Sequence, residues 1–108
     1  MSYNIKTIPK FDSNLKKLAK KYPSLKLEFL ELIKTLKENP TSGTHIGCDC
    51  YKIRLAIASK GKGKSGGARV ITHVFVKDQS VYLLTIYDKS DQDNISNKEL
   101  LELLKFIT

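Results

Sequence analysis

The fold of this chain is decided by residues 50–87, which read CYKIRLAIASKGKGKSGGARVITHVFVKDQSVYLLTIY. Apolar and polar side chains alternate in three β-rich runs within it: 50–58, 68–76 and 81–87. Alternation with a period of two is typical of half-buried strands. The glycine- and lysine-rich residues 60–67 and the pair Asp78-Gln79 are typical of turns. The stretch therefore predicts three consecutive strands joined by short connections.

The residues before this stretch predict a short strand and a helical hairpin. Tyr3–Ile8 alternates weakly, as a short strand does. Apolar residues three and four apart then predict two helices, the first capped by Asp12 or Ser13 and the second by Ser24. Asn39-Pro40 ends the second helix. Two helices with so short a connection are expected to lie antiparallel.

The remaining segments complete one α+β domain. Residues 41–49, TSGTHIGCD, have the composition of a loop, and Ser96 and Glu99 have the spacing of a capping box that opens a last helix. The predicted order is β-α-α-β-β-β-α, with no long linker. We therefore expect a single domain over residues 1–108, an antiparallel sheet with the N-terminal helical hairpin packed on one face and a C-terminal helix.

The charge of the chain favours an anionic partner. Its 108 residues hold 19 Lys+Arg and 11 Asp+Glu, a formal net charge of +8. The excess lies in two blocks, residues 1–38 and residues 50–90, and such blocks favour nucleic acid, although basic surfaces also serve solubility. No apolar run approaches the ~20 residues that cross a bilayer, and the first residues lack a secretory pattern. A cytoplasmic protein without a membrane partner is expected.

One face of the predicted sheet collects basic side chains. If the larger apolar residues of the first run face the helices, Lys52 and Arg54 face away from them. Alignment of the next run places Arg69 and His73 on the same face, and Tyr87 is expected to join them. The alternative is a face that is charged only for solubility, and such a face usually carries both basic and acidic residues. These positions include no acidic residue.

Parts of the sequence resemble two phosphate-binding motifs, but neither motif has all the features that it requires. Gly61–Gly66 matches G-x-G-x-x-G, but a strand follows it where the dinucleotide fingerprint needs a helix. A P-loop would need glycine where Ala58 stands. What remains is a hairpin loop whose Lys60, Lys62 and Lys64 are suited to contact phosphates, although a loop that is simply a soluble turn stays open. A stripe of lysines on the first helix either contacts RNA backbone or is simply solvated, and the sequence leaves both interpretations open. Its members are Lys16, Lys17, Lys20 and Lys21.

No metal or other cofactor is expected. His45, Cys48, Asp49 and Cys50 lie close in the sequence, but no second ligand pair with zinc-like spacing accompanies them. The two cysteines are therefore expected to be reduced thiols.

Residues 49–55, DCYKIRL, and the glycine-rich link into residues 67–71, GARVI, resemble the central sheet of RelE-type toxins of bacterial toxin–antitoxin modules. Residues 81–90, VYLLTIYDKS, and the DNIS at 93–96 before a leucine-rich helix resemble the HigB-like branch of that family. The resemblance covers essentially the whole chain. It implies an endoribonuclease that cuts mRNA in the ribosomal A site without a metal and so inhibits translation. It also implies three partners, namely the ribosome, mRNA and a neutralising cognate antitoxin.

The resemblance also implies which residues act. Lys52, Arg54 and Arg69 match basic positions of the family's sheet, and Arg69 is expected to hold the phosphate because a guanidinium grips two oxygens at once. Tyr87 and Lys89 lie near further site positions of the family. Some members carry a lysine where Arg54 stands, and arginine stays protonated.

The proton acceptor is therefore left open by the sequence. Lys52, Tyr87 and His73 are candidates, as are the ribosome and the RNA itself. Two other functions also stay open, a ParE-like toxin that inhibits DNA gyrase without cutting and a non-toxic nucleic-acid-binding domain. Converging cations favour cleavage over gyrase inhibition, because phosphate chemistry needs them.

Overall fold

A computed structural model of the chain describes residues 3–61, 66–92 and 94–107. The elements within these ranges are β1 Asn4–Thr7, α1 Pro9–Lys21, α2 Leu25–Glu38, β2 Thr44–Gly47, β3 Cys50–Leu55, β4 Ala68–Phe75, β5 Ser80–Asp88 and α3 Asn97–Leu104. The predicted α+β class, with its N-terminal helical hairpin and C-terminal helix, is confirmed. None of the described helices is long and apolar enough to cross a bilayer.

The strands form a sheet in the order β1-β5-β4-β3-β2. The pairs from β2 to β5 are antiparallel, as predicted, but β1 runs parallel to β5, so the sheet is mixed. This pairing joins residues far apart in the sequence, and local alternation gives no sign of its direction.

The prediction of a loop over residues 41–49 is wrong for β2, which is a strand. The strand pairs with β3 through a tight turn in which Cys48 and Asp49 have φ values of 54° and 57°. Four of the nine residues 41–49 are Ser, Gly or Asp, so the composition of the segment resembles a loop although the backbone of β2 is extended.

A β-bulge interrupts the pairing of β4 with β5. Ile71 lies opposite Thr85, whereas the next residue, Thr72, lies opposite Leu83. Leu84 is therefore an extra residue in β5. The bulge changes which residues of β5 share a face, a shift that simple alternation along the strand does not predict.

The helix ends differ in how well the sequence predicted them. Helix α1 begins at Pro9, before the predicted caps Asp12 and Ser13, because proline fits the first turn of a helix, where its missing N–H is not needed. The predicted capping box of α3 is confirmed, since the Ser96 side chain accepts a hydrogen bond from the Glu99 N–H at 3.1 Å.

The helical hairpin supplies part of the core. Phe11 of α1 and Leu25 and Leu36 of α2 are fully buried, and the rings of Phe11 and Phe29 lie 5.7 Å apart. Burying each large apolar side chain contributes about 1.5–3 kcal/mol. Helix α1 packs along β5, and α2 contacts the edge strand β1.

A methyl group at Gly67, just before β4, would lie 2.1 Å from the Leu55 carbonyl oxygen. Because that backbone is held by the pairing of β3 with β4, we expect Gly67→Ala to lower the free energy of unfolding by about 3 kcal/mol, measured by urea unfolding. Gly61→Ala is the control: its φ is 75° but no atom lies within 4 Å of the added carbon, so a loss of about 1 kcal/mol is expected. Equal losses would contradict the close approach.

Candidate active site

Two rows of side chains cross the sheet on the face predicted to carry the basic residues. In the first row, Arg54 of β3 lies opposite Arg69 of β4, which lies opposite Tyr87 of β5. In the second row, Lys52 lies opposite Ile71. Two residues along a strand span about 6.6 Å, so the rows are immediate neighbours. The structure thus brings four of the predicted site residues to one face.

This arrangement sets like charges directly opposite each other. Cross-strand neighbours have Cβ atoms about 5 Å apart, and like charges in such positions destabilise a sheet. Arg54 and Arg69 form this kind of pair, and Lys52 stands one row away. No side chain of the two rows is acidic. Adjacent cations attract an anion, so the face is suited to a phosphate group.

The two arginines differ in their access to solvent. Arg54 is exposed, and within the described part of the chain its side chain makes no hydrogen bond or ion pair. Arg69 is only 2% exposed, and its Nη1 donates to the Ala68 carbonyl oxygen at 3.2 Å. The resemblance implies that Arg69 is the main phosphate ligand. The geometry instead presents the Arg54 guanidinium to a ligand, with the charge of Arg69 below the surface.

Lys52 is held by a residue that the sequence analysis missed. Its Nζ donates to Asn94 Oδ1 at 2.8 Å, and both residues line a cavity of about 120 Å³ together with Ile46 and Leu100. The segment before α3 therefore reaches the functional face and fixes the lysine. Asn94 belongs to the DNIS stretch that carries part of the resemblance and lies two residues before the helix cap Ser96, but neither feature predicts its contact with Lys52.

The remaining predicted catalytic residues lie at the end of β5. Tyr87 is buried, at 9% exposure. The half-buried Lys89 follows the strand, and its backbone N–H donates to the Gly67 carbonyl oxygen at 3.0 Å. Thr85, two residues before Tyr87, donates its hydroxyl hydrogen to Asn14 Oδ1 of α1 at 2.8 Å. This end of the site is thus tied to a helix and to the start of β4.

His73 lies on the same face, opposite Cys50. Its Nδ1 is 2.9 Å from the Cys48 carbonyl oxygen. A carbonyl only accepts hydrogen bonds, so Nδ1 carries the hydrogen and Nε2 of the neutral ring is left as a proton acceptor. Burial, together with the nearby charges of Cys48 and Asp49, raises the pKa of Cys50 to about 12. Cys50 is therefore a thiol at neutral pH, as predicted, and is unsuited to act as a nucleophile.

Lys60 does not occupy the phosphate-contacting position that the sequence predicted. Its ammonium forms an ion pair with Asp88, and the two side chains are 10% and 1% exposed. The hydroxyls of Tyr22 and Ser90 also donate to the Asp88 carboxylate. Burial disfavours the charged carboxylate, but these donors outweigh it and hold the pKa of Asp88 well below its ordinary value. The charge of Lys60 is used inside the domain because a buried carboxylate requires a counter-ion.

The other predicted nucleic-acid contacts lie elsewhere. Lys62 and Lys64 are outside the described residues. Lys16 and Lys20 border an apolar groove between α1 and α2. All four lysines of the α1 stripe are exposed: Lys16, Lys17, Lys20 and Lys21. Over the described ranges, no three His, Cys, Asp or Glu side chains group closely enough to hold a metal ion.

Comparison with known proteins agrees with this architecture. The chain is similar to a double arginine-to-alanine mutant of the E. coli toxin RelE in the free state, with a TM-score of 0.66, 18% identity and full coverage of both chains. It is also similar to the isolated E. coli RelE toxin, with a TM-score of 0.57, 20% identity, and 99% of this chain and 100% of that chain covered. At these identities the likeness shows the fold. The family described as the RelE toxin of the RelE/RelB toxin–antitoxin system matches residues 11–108, and the chain therefore belongs to the RelE toxin family.

Proposed function

We propose that this toxin is a metal-independent endoribonuclease that cleaves mRNA on the ribosome and thereby inhibits translation. The observation that carries the proposal is the cross-strand pair of Arg54 and Arg69 with Lys52 in the next row. Three cations on one face, in rows without an acid, suit a phosphodiester whose negative charge grows during reaction. The 2′-hydroxyl of RNA supplies the nucleophile, so the protein need not provide one.

The solvent exposure of each residue determines the role that it takes in the reaction. The RNA 2′-oxygen attacks the adjacent phosphorus and loses its proton, the bond from phosphorus to the 5′-oxygen breaks, and that oxygen takes up a proton. A 2′,3′-cyclic phosphate remains. The exposed Arg54 guanidinium is placed to hold two phosphate oxygens, and Lys52, fixed by Asn94, adds a point charge. The buried Arg69 raises the local positive potential.

The proton acceptor is better assigned to the ribosome or the RNA itself, because His73 lies four positions along β4 from the row of Arg54 and Arg69, about 13 Å away. Tyr87 is buried, and Lys52 already donates to Asn94, so both have less freedom to accept a proton. Lys89, just beyond Tyr87, is left to contact the RNA backbone.

The cognate antitoxin is expected to be acidic where it covers this face. Membership of the family implies an antitoxin partner. An acidic segment across Lys52 and Arg54 would compensate the charges that the RNA phosphate otherwise meets.

Translation of a defined mRNA on purified ribosomes with the protein added tests the function. Breaks are expected within the translated frame, with 2′,3′-cyclic phosphate ends, and a matched message without a start codon should stay whole. An uncut message together with blocked supercoiling by DNA gyrase would instead support the ParE-like alternative. If neither message nor gyrase is affected, the protein only binds nucleic acid.

A further inference from the structure

Three aromatic rings extend the functional face beyond the basic rows. His73 and Phe75 lie two residues apart on β4, with ring centroids 6.4 Å apart, and the ring of Tyr82 on β5 lies 6.5 Å from that of Phe75. Tyr82 pairs directly with His73. Because His73 shares the parity of Arg69 along a regularly paired β4, all three rings lie on the face of the basic rows.

The three rings retain accessible surface and have a cation beside them. His73, Phe75 and Tyr82 are each half-buried, so part of each ring faces solvent. Lys6, which also pairs with Asp78 at 3.6 Å, places its Nζ 5.6 Å from the centroid of the Tyr82 ring. Adjacent aromatic surfaces with a neighbouring positive charge are the features that bind unpaired nucleic-acid bases, because every base has a face that stacks.

We propose that His73, Phe75 and Tyr82 form a stacking platform for unpaired bases of the RNA strand whose phosphate lies at Lys52 and Arg54. This inference rests on the proposed function and adds a binding subsite to it. His73 lies four positions beyond Arg69, about 13 Å along the strand, so nucleotides next to the cleaved bond reach the rings. Single-stranded RNA is the occupant, since the bases of a duplex are already stacked on each other.

Binding of a non-cleavable RNA tests the platform separately from cleavage. The probe is a short, fluorescein-labelled single-stranded RNA with 2′-O-methyl groups, and its affinity for the full chain is measured by fluorescence anisotropy. Phe75→Leu and Tyr82→Leu are each expected to weaken binding about tenfold, within the range for loss of one stacked base. Tyr82→Phe keeps the ring and should keep the affinity.

Tyr51→Leu is the matched control. Tyr51 is also a half-buried aromatic residue of the sheet, but it pairs with Thr72 and contacts His45 on the opposite face. Its replacement should leave RNA affinity unchanged. Thermal unfolding of each variant monitors the fold, and a loss of affinity that Tyr51→Leu shares, or that Tyr82→Phe does not rescue, would overturn the platform.

The two proposals fail in different ways. If the wild type binds the probe through the rings but cuts no message on ribosomes, cleavage is refuted and the platform stands. If the wild type cuts messages while Phe75→Leu and Tyr82→Leu bind and cut like the wild type, the platform is refuted and cleavage stands. A wild type that does not bind the probe even at low salt also refutes the platform.

Discussion

Arg54→Ala is expected to lower the rate of mRNA cleavage on the ribosome by about 10²–10³-fold, the usual cost of removing one donor to the developing charge, while the fold stays intact. Arg54 is exposed, and no described residue accepts a hydrogen bond or ion pair from its side chain. Its removal therefore leaves no buried group without a partner. The measurement is the single-turnover cleavage rate on programmed ribosomes, with thermal unfolding run in parallel.

Three further variants separate the role of the guanidinium from that of charge alone. Arg54→Lys keeps the charge but loses the two-pronged grip on phosphate, so an intermediate rate is expected. Lys77→Ala removes one positive charge from an exposed turn away from the rows and should cut at the wild-type rate. Arg69→Ala should lose both activity and stability, because its side chain is buried. A wild-type rate for Arg54→Ala would remove this arginine from the mechanism.

Asp88→Asn is expected to lower the free energy of unfolding by about 3–5 kcal/mol, the cost of breaking a buried ion pair by removing one partner. The variant keeps the size of the side chain but leaves the Lys60 ammonium, at 10% exposure, without its counter-charge. Domains of this size are stable by about 5–15 kcal/mol, so the loss would leave the protein marginal. Urea unfolding at neutral pH measures it.

A surface ion pair in the same chain provides the control. Lys6 and Asp78 lie 3.6 Å apart with side chains 45% and 43% exposed. Because solvent screens such pairs, Asp78→Asn should cost no more than about 1 kcal/mol. Replacing both buried partners, as Lys60→Met with Asp88→Leu, should recover much of the loss. Similar costs for Asp88→Asn and Asp78→Asn would show that the buried pair contributes little.

The Asp88 ion pair also predicts a pH dependence. The pKa of Asp88 lies well below its ordinary value in the folded chain, so between about pH 4 and the folded pKa the unfolded chain binds a proton that the folded chain does not. The stability that Asp88 contributes is thus complete above about pH 4 and falls as the pH drops toward the folded pKa. The stability difference between wild type and Asp88→Asn should shrink from pH 7 to pH 3. A constant difference would contradict the depressed pKa.

Local pattern predicted much of the sheet and the position of its basic face. Strand parity placed Lys52 and Arg54 on one face, because residues two apart in a strand must share a side, and alignment of the apolar residues of the next run added Arg69. Parity predicts the face on which a side chain lies but not how deeply it is buried. Only the structure therefore shows that Arg69 is buried and Arg54 is exposed. The ion pair of Lys60 and Asp88 joins residues 28 apart in the chain, and no local rule connects them.

The strand β2 and the direction of β1 escaped prediction for related reasons. Both depend on which segment pairs with which, and strands of only four residues carry little β signal of their own. The contact of Asn94 with Lys52 was not predicted for the same reason, because it depends on how the chain returns over the sheet after β5.

The extra residue Leu84 has a consequence for how this strand tolerates change. Tyr82 and Tyr87 are five positions apart, an odd number, and would point to opposite sides of an uninterrupted strand; with Leu84 inserted they point the same way. Substituting Leu84 by another apolar residue should preserve this phase. Deleting it would rotate one half of β5 by half a turn relative to the other, so that one tyrosine leaves the face of the basic rows. In the middle of β5, the number of residues is therefore more tightly constrained than the identity of the apolar residue at position 84.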